Sequence, residues 1–317
     1  MKKQTLLLPL AALSAVLTTG LGAQTLNWVA SGSPVARDGL AMAYDPLTKY
    51  IVMFGGVNAE QQYLGDTWLW EGGWLSKAPQ TSPSARGNAA MAFDGTNIVL
   101  FGGATQSGTY LNDTWTWDGT NWTEQTPPVS PSPRTSYMTY DGATGNVVLF
   151  GGNDAAGSLG DTWTWNGTTK TWTQLNPANS PSPRLAPTAY DEATQSLLLF
   201  GDSTVDLNDT WTWNGTNWIK LAPAVSPTPR AQANMAYDPS IRMVVLFGGY
   251  AGTWENSLND TWMWNGTNWK QVTPATPPPN RYNFGMSYHV AAKILVMFGG
   301  FSSSVARSDT WLLALEP

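Results

Sequence analysis

The stretch LNDTWTWDGTNW, residues 111–122, contains the pattern that decides the fold of this chain. Its TWTW segment alternates hydroxyl-bearing and aromatic side chains, which is typical of a β-strand with two different faces. The Asp-Gly pair that follows is a strong hairpin signal, because the tightest hairpin turns need a positive φ at their central residues. The stretch therefore predicts two antiparallel strands joined by a tight turn.

The Asp-Thr-Trp motif within this stretch recurs along the chain at nearly constant intervals. Successive motifs are 47, 48, 48, 51 and 49 residues apart, and they begin at Asp66, Asp113, Asp161, Asp209, Asp260 and Asp309. A hydrophobic run ending in Phe-Gly-Gly precedes five of the motifs, and Phe200-Gly201-Asp202 precedes the other. One further arginine opens each unit after a Pro-rich stretch: Arg37, Arg86, Arg134, Arg184, Arg230 and Arg281.

Each unit reads as four short strands. In the first unit these are a strand ending in MAYD (42–45), IVMF (51–54), DTWLW (66–70) and a strand that carries Trp74. Six units of about this length predict an all-β fold, a six-bladed β-propeller with four-stranded antiparallel blades. We expect residues 24–317 to form this single domain.

The units resemble kelch repeats. The resemblance rests on a di-glycine after a hydrophobic strand and on two spaced aromatic residues, for example Trp115 and Trp122, and it covers about residues 25–317. Tryptophan stands in the third strand where kelch repeats frequently have tyrosine. The resemblance implies a propeller but little about function, because the family includes enzymes, receptors and scaffolds.

The tryptophans predict how the ring closes. Five units have a tryptophan on the fourth strand, but the chain ends at Pro317, before the sixth unit could form one. Trp28 has a matching context, and we expect residues 25–30 to pair as the outermost strand of the last blade. The alternative is a frayed N-terminus. Deletion of residues 24–30 is expected to lower the melting temperature.

The first 23 residues have the layout of a secretory signal peptide. Lys2 and Lys3 precede an apolar run from Leu6 to Leu17, and small residues follow up to Ala23. This predicts a secreted or periplasmic protein without a membrane span after cleavage; a retained anchor is the alternative. The chain has no cysteine, which excludes disulfides and thiol catalysis. Its net charge of −6 argues against nucleic acid or anionic membranes as partners, and we expect a monomer.

The candidate ligand face is the one that carries the loops between second and third strands and the Pro-rich connections between blades, here called the loop face. The six repeated arginines lie there with the six repeated aspartates, and equal numbers at equal spacing favour structural ion pairs. The alternative is a ring of guanidinium groups that grips an acidic ligand.

Ligand-binding residues are better sought where the repeat is broken. Trp254 and Glu255 lie in the longest loop, which begins at Tyr250, and together they suit a sugar ring and its hydroxyl groups; alternatively, Trp254 covers the neighbouring blade. The fourth unit has an acidic loop with Asp202 and Asp206. In the sixth unit Arg307 replaces the leucine of the other five, although this side chain can also simply point outward.

Metal and cofactor chemistry find no support in the sequence. Galactose oxidase is a kelch propeller with a copper site built from histidines and a Tyr–Cys crosslink, but this chain has one histidine and no cysteine. That histidine, His289, occupies a turn position that is Asp in the other units. We therefore expect no metal, no cofactor and no galactose-oxidase-type catalysis.

The sequence as a whole predicts an exported module that binds a protein or a glycan on its loop face. Two alternatives stay open. One is a metal-independent, carbohydrate-modifying enzyme of the mutarotase or epimerase type, since sialic acid mutarotases are also kelch propellers and Glu255 with an arginine could do acid–base chemistry. The other is a structural subunit of an envelope complex.

Overall fold

The chain folds into six four-stranded antiparallel sheets, which are the predicted blades of a propeller. The structure is a computed structural model that describes residues 26–31, 34–202, 207–302 and 305–315. In each blade the strands are labelled A to D from the centre of the ring outward. No helix in these residues has the length and apolar character needed to cross a membrane.

Consecutive strands of one blade are neighbours in its sheet. The A strands are Ala41–Asp45, Ala90–Phe93, Thr135–Asp141, Thr188–Asp191, Asn234–Asp238 and Gly285–His289. The B strands are Tyr50–Phe54, Ile98–Phe101, Asn146–Asp154, Ser196–Phe200, Met243–Phe247 and Ile294–Phe298. The C strands are Thr67–Trp70, Thr114–Trp117, Gly157–Asn166, Thr210–Trp213, Thr261–Trp264 and Thr310–Leu315.

Five D strands follow their C strands through the predicted hairpins: Trp74–Lys77, Trp122–Gln125, Thr171–Leu175, Trp218–Leu221 and Trp269–Val272. In the sixth blade, Leu26–Ser31 pairs with the C strand, with Trp28 opposite Leu313. The side chain of Trp28 lies outside the described residues, so its contribution to closing the ring stays a prediction. Two short ladders on the loop face, Arg37–Asp38 with Val57–Asn58 and Phe301–Ser302 with Val305–Ala306, complete the strands.

The ring also closes at its centre, independently of the outer strand. A strands of consecutive blades lie side by side around the axis, including that of blade 6 beside that of blade 1. The B strands are almost wholly buried, and the hydrophobic clusters lie between neighbouring blades rather than within one. For example, Phe54 of blade 1 packs edge to face against Trp122 of blade 2, with ring centroids 5.4 Å apart. Each blade therefore buries its two faces against its neighbours.

Candidate functional site

The six repeated arginines and the six repeated aspartates form ion pairs inside the protein. In blade 5, Arg230 Nη1 lies 2.7 Å from Asp260 Oδ1 and Nη2 lies 2.8 Å from Oδ2, so the guanidinium donates to both carboxylate oxygens. Arg230 also donates to the carbonyls of Gly248 and Thr228. The pairs are Arg37–Asp66, Arg86–Asp113, Arg134–Asp161, Arg184–Asp209, Arg230–Asp260 and Arg281–Asp309.

These pairs hold the carboxylates ionised. Burial alone would raise the pKa of Asp260, but hydrogen bonds and charge from Arg230, and the Trp262 indole N–H 2.6 Å away, hold it below its ordinary value. The arginine side chains are 0–2% exposed. The six guanidinium groups are therefore buried in structural ion pairs and do not form a ring that could grip an acidic ligand.

Each arginine also joins two blades. Arg86 pairs through its side chain with Asp113 of blade 2, whereas its backbone N–H donates to Leu64 of blade 1 and its carbonyl accepts from Gly56 of blade 1. The di-glycine is needed at this junction. Gly55 has a φ of 65°, and a Cβ there would lie 2.5 Å from the Arg86 carbonyl oxygen.

The structure places Trp254 and Glu255 at the solvent-exposed tip of their loop. The Trp254 side chain is 49% exposed, and Glu255 is exposed beside it. Tyr250, at the base of the same loop, is half-buried and packs edge to face on Tyr282, with ring centroids 5.2 Å apart. Of these three residues, Tyr250 is the one that faces other functional side chains.

The remaining predicted residues are separated. Arg307 is half-buried and donates from Nη2 to Ser302 Oγ at 3.2 Å, so it belongs to the loop of blade 6. Asp202 is 2% exposed and lies close enough to Tyr250 for its charge to raise the pKa of that phenol, after burial, which is the larger cause. Asp206 lies outside the described residues. The structure thus brings Asp202 and Tyr250 together, and it places Arg307 in the loop of blade 6.

A cavity of about 260 Å³ runs along the propeller axis and is lined by the A strands of all six blades. One lining position breaks the repeat. Tyr137 stands opposite the Phe of its B strand, where the other blades have much smaller residues. These are Ala41, Ala90, Pro187, Asn234 and Gly285. A single large phenol therefore enters a channel that the other five blades leave open at this level.

Polar backbone groups and amides surround the channel mouth on the loop face. The N–H of Asn283 donates to Gln232, that of Gly39 donates to Asn283, and that of Asn88 donates to Gly39, over 2.7–3.0 Å. All four residues have φ between 51° and 59°. They link blades 5, 6, 1 and 2 around the axis. Blades 3 and 4 are one residue shorter between the repeated arginine and the Asp or His at the turn between the A and B strands, so the mouth is asymmetric.

Five side chains at this side of the mouth form what we call the mouth cluster: Asp38, Tyr137, Tyr250, Tyr282 and Asn283. Asn283 lines the channel, and its Nδ2 donates to Asp38 Oδ1 at 3.1 Å. Phe301 extends the aromatic surface, with its ring centroid 5.8 Å from that of Tyr282.

The cluster is a partly desolvated site with a carboxyl group at its centre. Burial raises the pKa of Asp38 to about 6, although the hydrogen bond from Asn283 lowers it. Burial, then the charge of Asp38, raises the pKa of Tyr282 to about 12, and burial also raises that of Tyr137. Chemically, the cluster can stack on a ligand, accept hydrogen bonds through Asp38 and donate them through neutral phenols and the amide.

Sequence reasoning missed four of the five members of the mouth cluster. The signal was nevertheless present as departures from the repeat. Asp38 and Tyr282 both follow a repeated arginine, at a position that is Gly87 in blade 2 and Ala231 in blade 5. Tyr137 shows the same kind of departure within the A strand.

The opposite end of the channel carries His289, as the turn position predicts. Its Nδ1 accepts from the Ala292 N–H at 3.0 Å, and its ring contacts Trp70 and Tyr44. Burial lowers the pKa of His289, which favours the neutral ring. No group of three His, Asp or Glu side chains among the described residues is placed to hold a metal ion.

Comparison with known proteins supports the repeat assignment. Residues 70–223 match a family model described as the KLHDC2/KLHL20/DRC7 Kelch-repeats domain. A solved structure of YjhT aligns with a TM-score of 0.67 over 90% of this chain and 99% of that chain, at 15% sequence identity. At this identity the likeness concerns the fold alone. None of the curated proteins matches the sequence.

Proposed function

We propose that this kelch-repeat β-propeller is an exported binding module that holds its ligand, a glycan, at the channel mouth of the loop face. Kelch propellers are typical protein-interaction modules, and the N-terminal leader supports export. The observation that carries the glycan proposal is the mouth cluster. It combines two phenol rings in edge-to-face contact with a carboxyl and an amide at the entrance of a cavity of about 260 Å³.

The dimensions of this site favour a sugar over a folded protein surface. Small-molecule sites are concave, mostly apolar, and carry a few convergent polar groups that set orientation. Sugar rings have apolar faces that can lie on Tyr250 and Tyr282, and equatorial hydroxyls that can reach Asp38 and Asn283. A protein partner would instead need a broad patch, with a central group of buried anchors. Trp254, exposed on the adjoining loop, can extend the contact beyond the mouth.

A glycan array with the mature protein tests the proposal. We expect Tyr250→Ala to weaken binding by about tenfold or more, since truncation of an aromatic anchor typically costs about 2 kcal/mol. Tyr110→Ala is the matched control, because Tyr110 occupies the corresponding loop of blade 2 away from the cluster. Trp254→Ala tests the loop tip separately. Retention of full binding by Tyr250→Ala, or an equal loss in Tyr110→Ala, would contradict the proposal.

A specific observation favours a metal-independent enzyme as the second candidate. Asp38, with its pKa raised to about 6 by burial, lies near the Tyr282 phenol, and a carboxyl titrating in this range can act as a general acid or base. In such a pair one group would take the proton of the anomeric hydroxyl while the other protonates the ring oxygen; the bond between the anomeric carbon and the ring oxygen then breaks, and rotation and reclosure give the other anomer. Exchange NMR of candidate sugars, with and without the protein, distinguishes catalysis from binding.

A further inference from the structure

The mouth cluster contains one carboxyl group, that of Asp38, and no arginine or lysine. All six aspartates of the Asp-Thr-Trp motifs have an arginine, but no ion pair among the described residues includes Asp38. Its neighbour Arg37 directs both Nη groups to Asp66, at 2.6 and 2.8 Å. Asp38 is held instead by the neutral amide of Asn283. A partly buried carboxylate with only a neutral partner is costly, and a cation would relieve that cost.

A group of aromatic rings lies beside this carboxylate. Tyr282 lies within electrostatic range of Asp38, and its ring packs between those of Tyr250 and Phe301, at centroid distances of 5.2 and 5.8 Å. Tyr137 contributes a further phenol from the channel wall. The negative face of an aromatic ring attracts organic cations, and such cages recognise ammonium groups.

We propose that the mouth cluster selects ligands that carry an ammonium group, and specifically an amino sugar with a free amine. This rests on the proposed function, because it names the sugar class that the same site takes. Asp38 supplies the counter-charge, the Tyr250 and Tyr282 rings supply the cation–π contact, and the mouth amides of Asn88, Gln232 and Asn283 are placed for hydroxyl groups. The same arrangement disfavours acidic sugars, because the repeated arginines that could have received a carboxylate are already paired.

A bare metal ion fits this site poorly. Calcium takes six to eight oxygen ligands, whereas the cluster offers one carboxyl group, neutral phenols and an amide whose Nδ2 points at that carboxyl. An organic ammonium needs fewer oxygen ligands, since aromatic faces supply part of its coordination.

The test compares two oligosaccharides that differ only in the charge on nitrogen. Isothermal titration of the mature protein with a glucosamine pentamer and with an N-acetylglucosamine pentamer, at about 0.15 M salt so that distant charges are screened, measures the preference. We expect the glucosamine pentamer to bind at least tenfold more tightly. Asp38→Asn should abolish the preference, so that the glucosamine pentamer binds no more tightly than the N-acetylated pentamer.

Asp118→Asn is the matched control for general attraction of a cation to an acidic protein. Asp118 is exposed in the C–D turn on the opposite face, at a position that is already asparagine in blades 4 and 5. The variant removes the same charge, and its preference should equal that of the parent. A comparable effect of both substitutions would assign the preference to net charge and overturn the proposal.

The remaining outcomes of the titrations also support or overturn the proposed selectivity for an ammonium group. Equal affinity of the parent protein for the two pentamers overturns the ammonium selectivity. If Tyr250→Ala still weakens binding of the two pentamers, the proposal that the channel mouth binds a glycan is retained. Failure to bind either pentamer overturns the proposal that the ligand is an amino sugar. The glycan array then tests separately whether the protein binds glycans. A lysine pentapeptide that binds as tightly as the glucosamine pentamer, with the same dependence on Asp38, would show a site for cationic peptides instead of sugars.

Discussion

At the scale of single residues, two charged side chains that are adjacent in sequence differ in how the fold compensates their charge. Arg37 is buried and satisfied, because its guanidinium donates to both oxygens of Asp66 and to the carbonyl of Gly55. Asp38 is partly buried, and Asn283 gives it a single neutral hydrogen bond. The first arrangement stabilises the ring and recurs in every blade. The second occurs in one blade and opposes folding whenever the carboxyl is ionised.

Asp38→Asn is therefore expected to stabilise the protein at neutral pH. The carboxyl has a pKa of 3.8 when unperturbed and about 6 in the fold, so folding favours its protonated form. Its cost grows as pH rises from about 4 to about 6 and is complete above that range. We expect a gain of about 1–2 kcal/mol at pH 7.5, less than the full shift implies, because water partly screens the group.

Urea denaturation of the parent and the variant at several pH values measures this gain. It should shrink as pH falls through about 6 towards 4, where both proteins carry a neutral group at position 38. A gain that does not change with pH would show that the substitution acts through packing. A loss of stability at pH 7.5 would show that the carboxylate is compensated within the protein.

At the scale of elements, the repeat predicted the strands well because each residue of the repeated Asp-Thr-Trp motif makes the same kind of contact in its blade. The aspartate of Asp-Thr-Trp binds the arginine and the following indole, whereas its threonine accepts from the next blade. In five cases the D-strand tryptophan donates Nε1 to the threonine of the preceding blade, over 2.8–3.1 Å. The donors are Trp74, Trp122, Trp172, Trp218 and Trp269, and the acceptors are Thr310, Thr67, Thr114, Thr162 and Thr210, respectively.

The periodicity assigns the sixth acceptor to Thr261, whose Oγ1 is buried and has no hydrogen-bond partner among the described residues. We expect Trp28 to be its donor. Trp28→Phe should then lower the free energy of unfolding by about 1 kcal/mol or more, and Thr261→Val should make that substitution less costly. The double-mutant cycle of Trp122→Phe with Thr67→Val, a pair 2.9 Å apart, is the reference. Strict additivity for Trp28 and Thr261 would contradict the assignment.

At the scale of the whole molecule, the ring could be predicted but its mouth could not. Blade number, strand order and the pairing of equal sets of charges follow from a period that every unit repeats. The mouth cluster instead joins residues from blades 1, 3 and 5 and from the connection into blade 6. Asp38 and Asn283 are 245 positions apart in sequence yet 3.1 Å apart in space. A local sequence pattern cannot show that two residues so far apart in sequence are close in space. The departures from the repeat therefore become informative only when the blades are arranged around an axis.

The closure of the ring leads to a prediction about chain order. Leu26 lies opposite Leu315, so the first described strand begins where the last one ends. A two-residue Asn-Gly turn after Leu315 could therefore lead directly into residues 26–31 and join the two outer strands of blade 6 in a hairpin. We expect this permuted chain, which begins at Pro34, to melt within a few degrees of a chain of residues 24–317. A chain that lacks residues 24–30 should melt at least about 5 °C lower, because it leaves the edge of blade 6 unpaired. Thermal unfolding of the three proteins measures this. Equal melting of all three would show that contact between the innermost strands closes the ring without the outer strand.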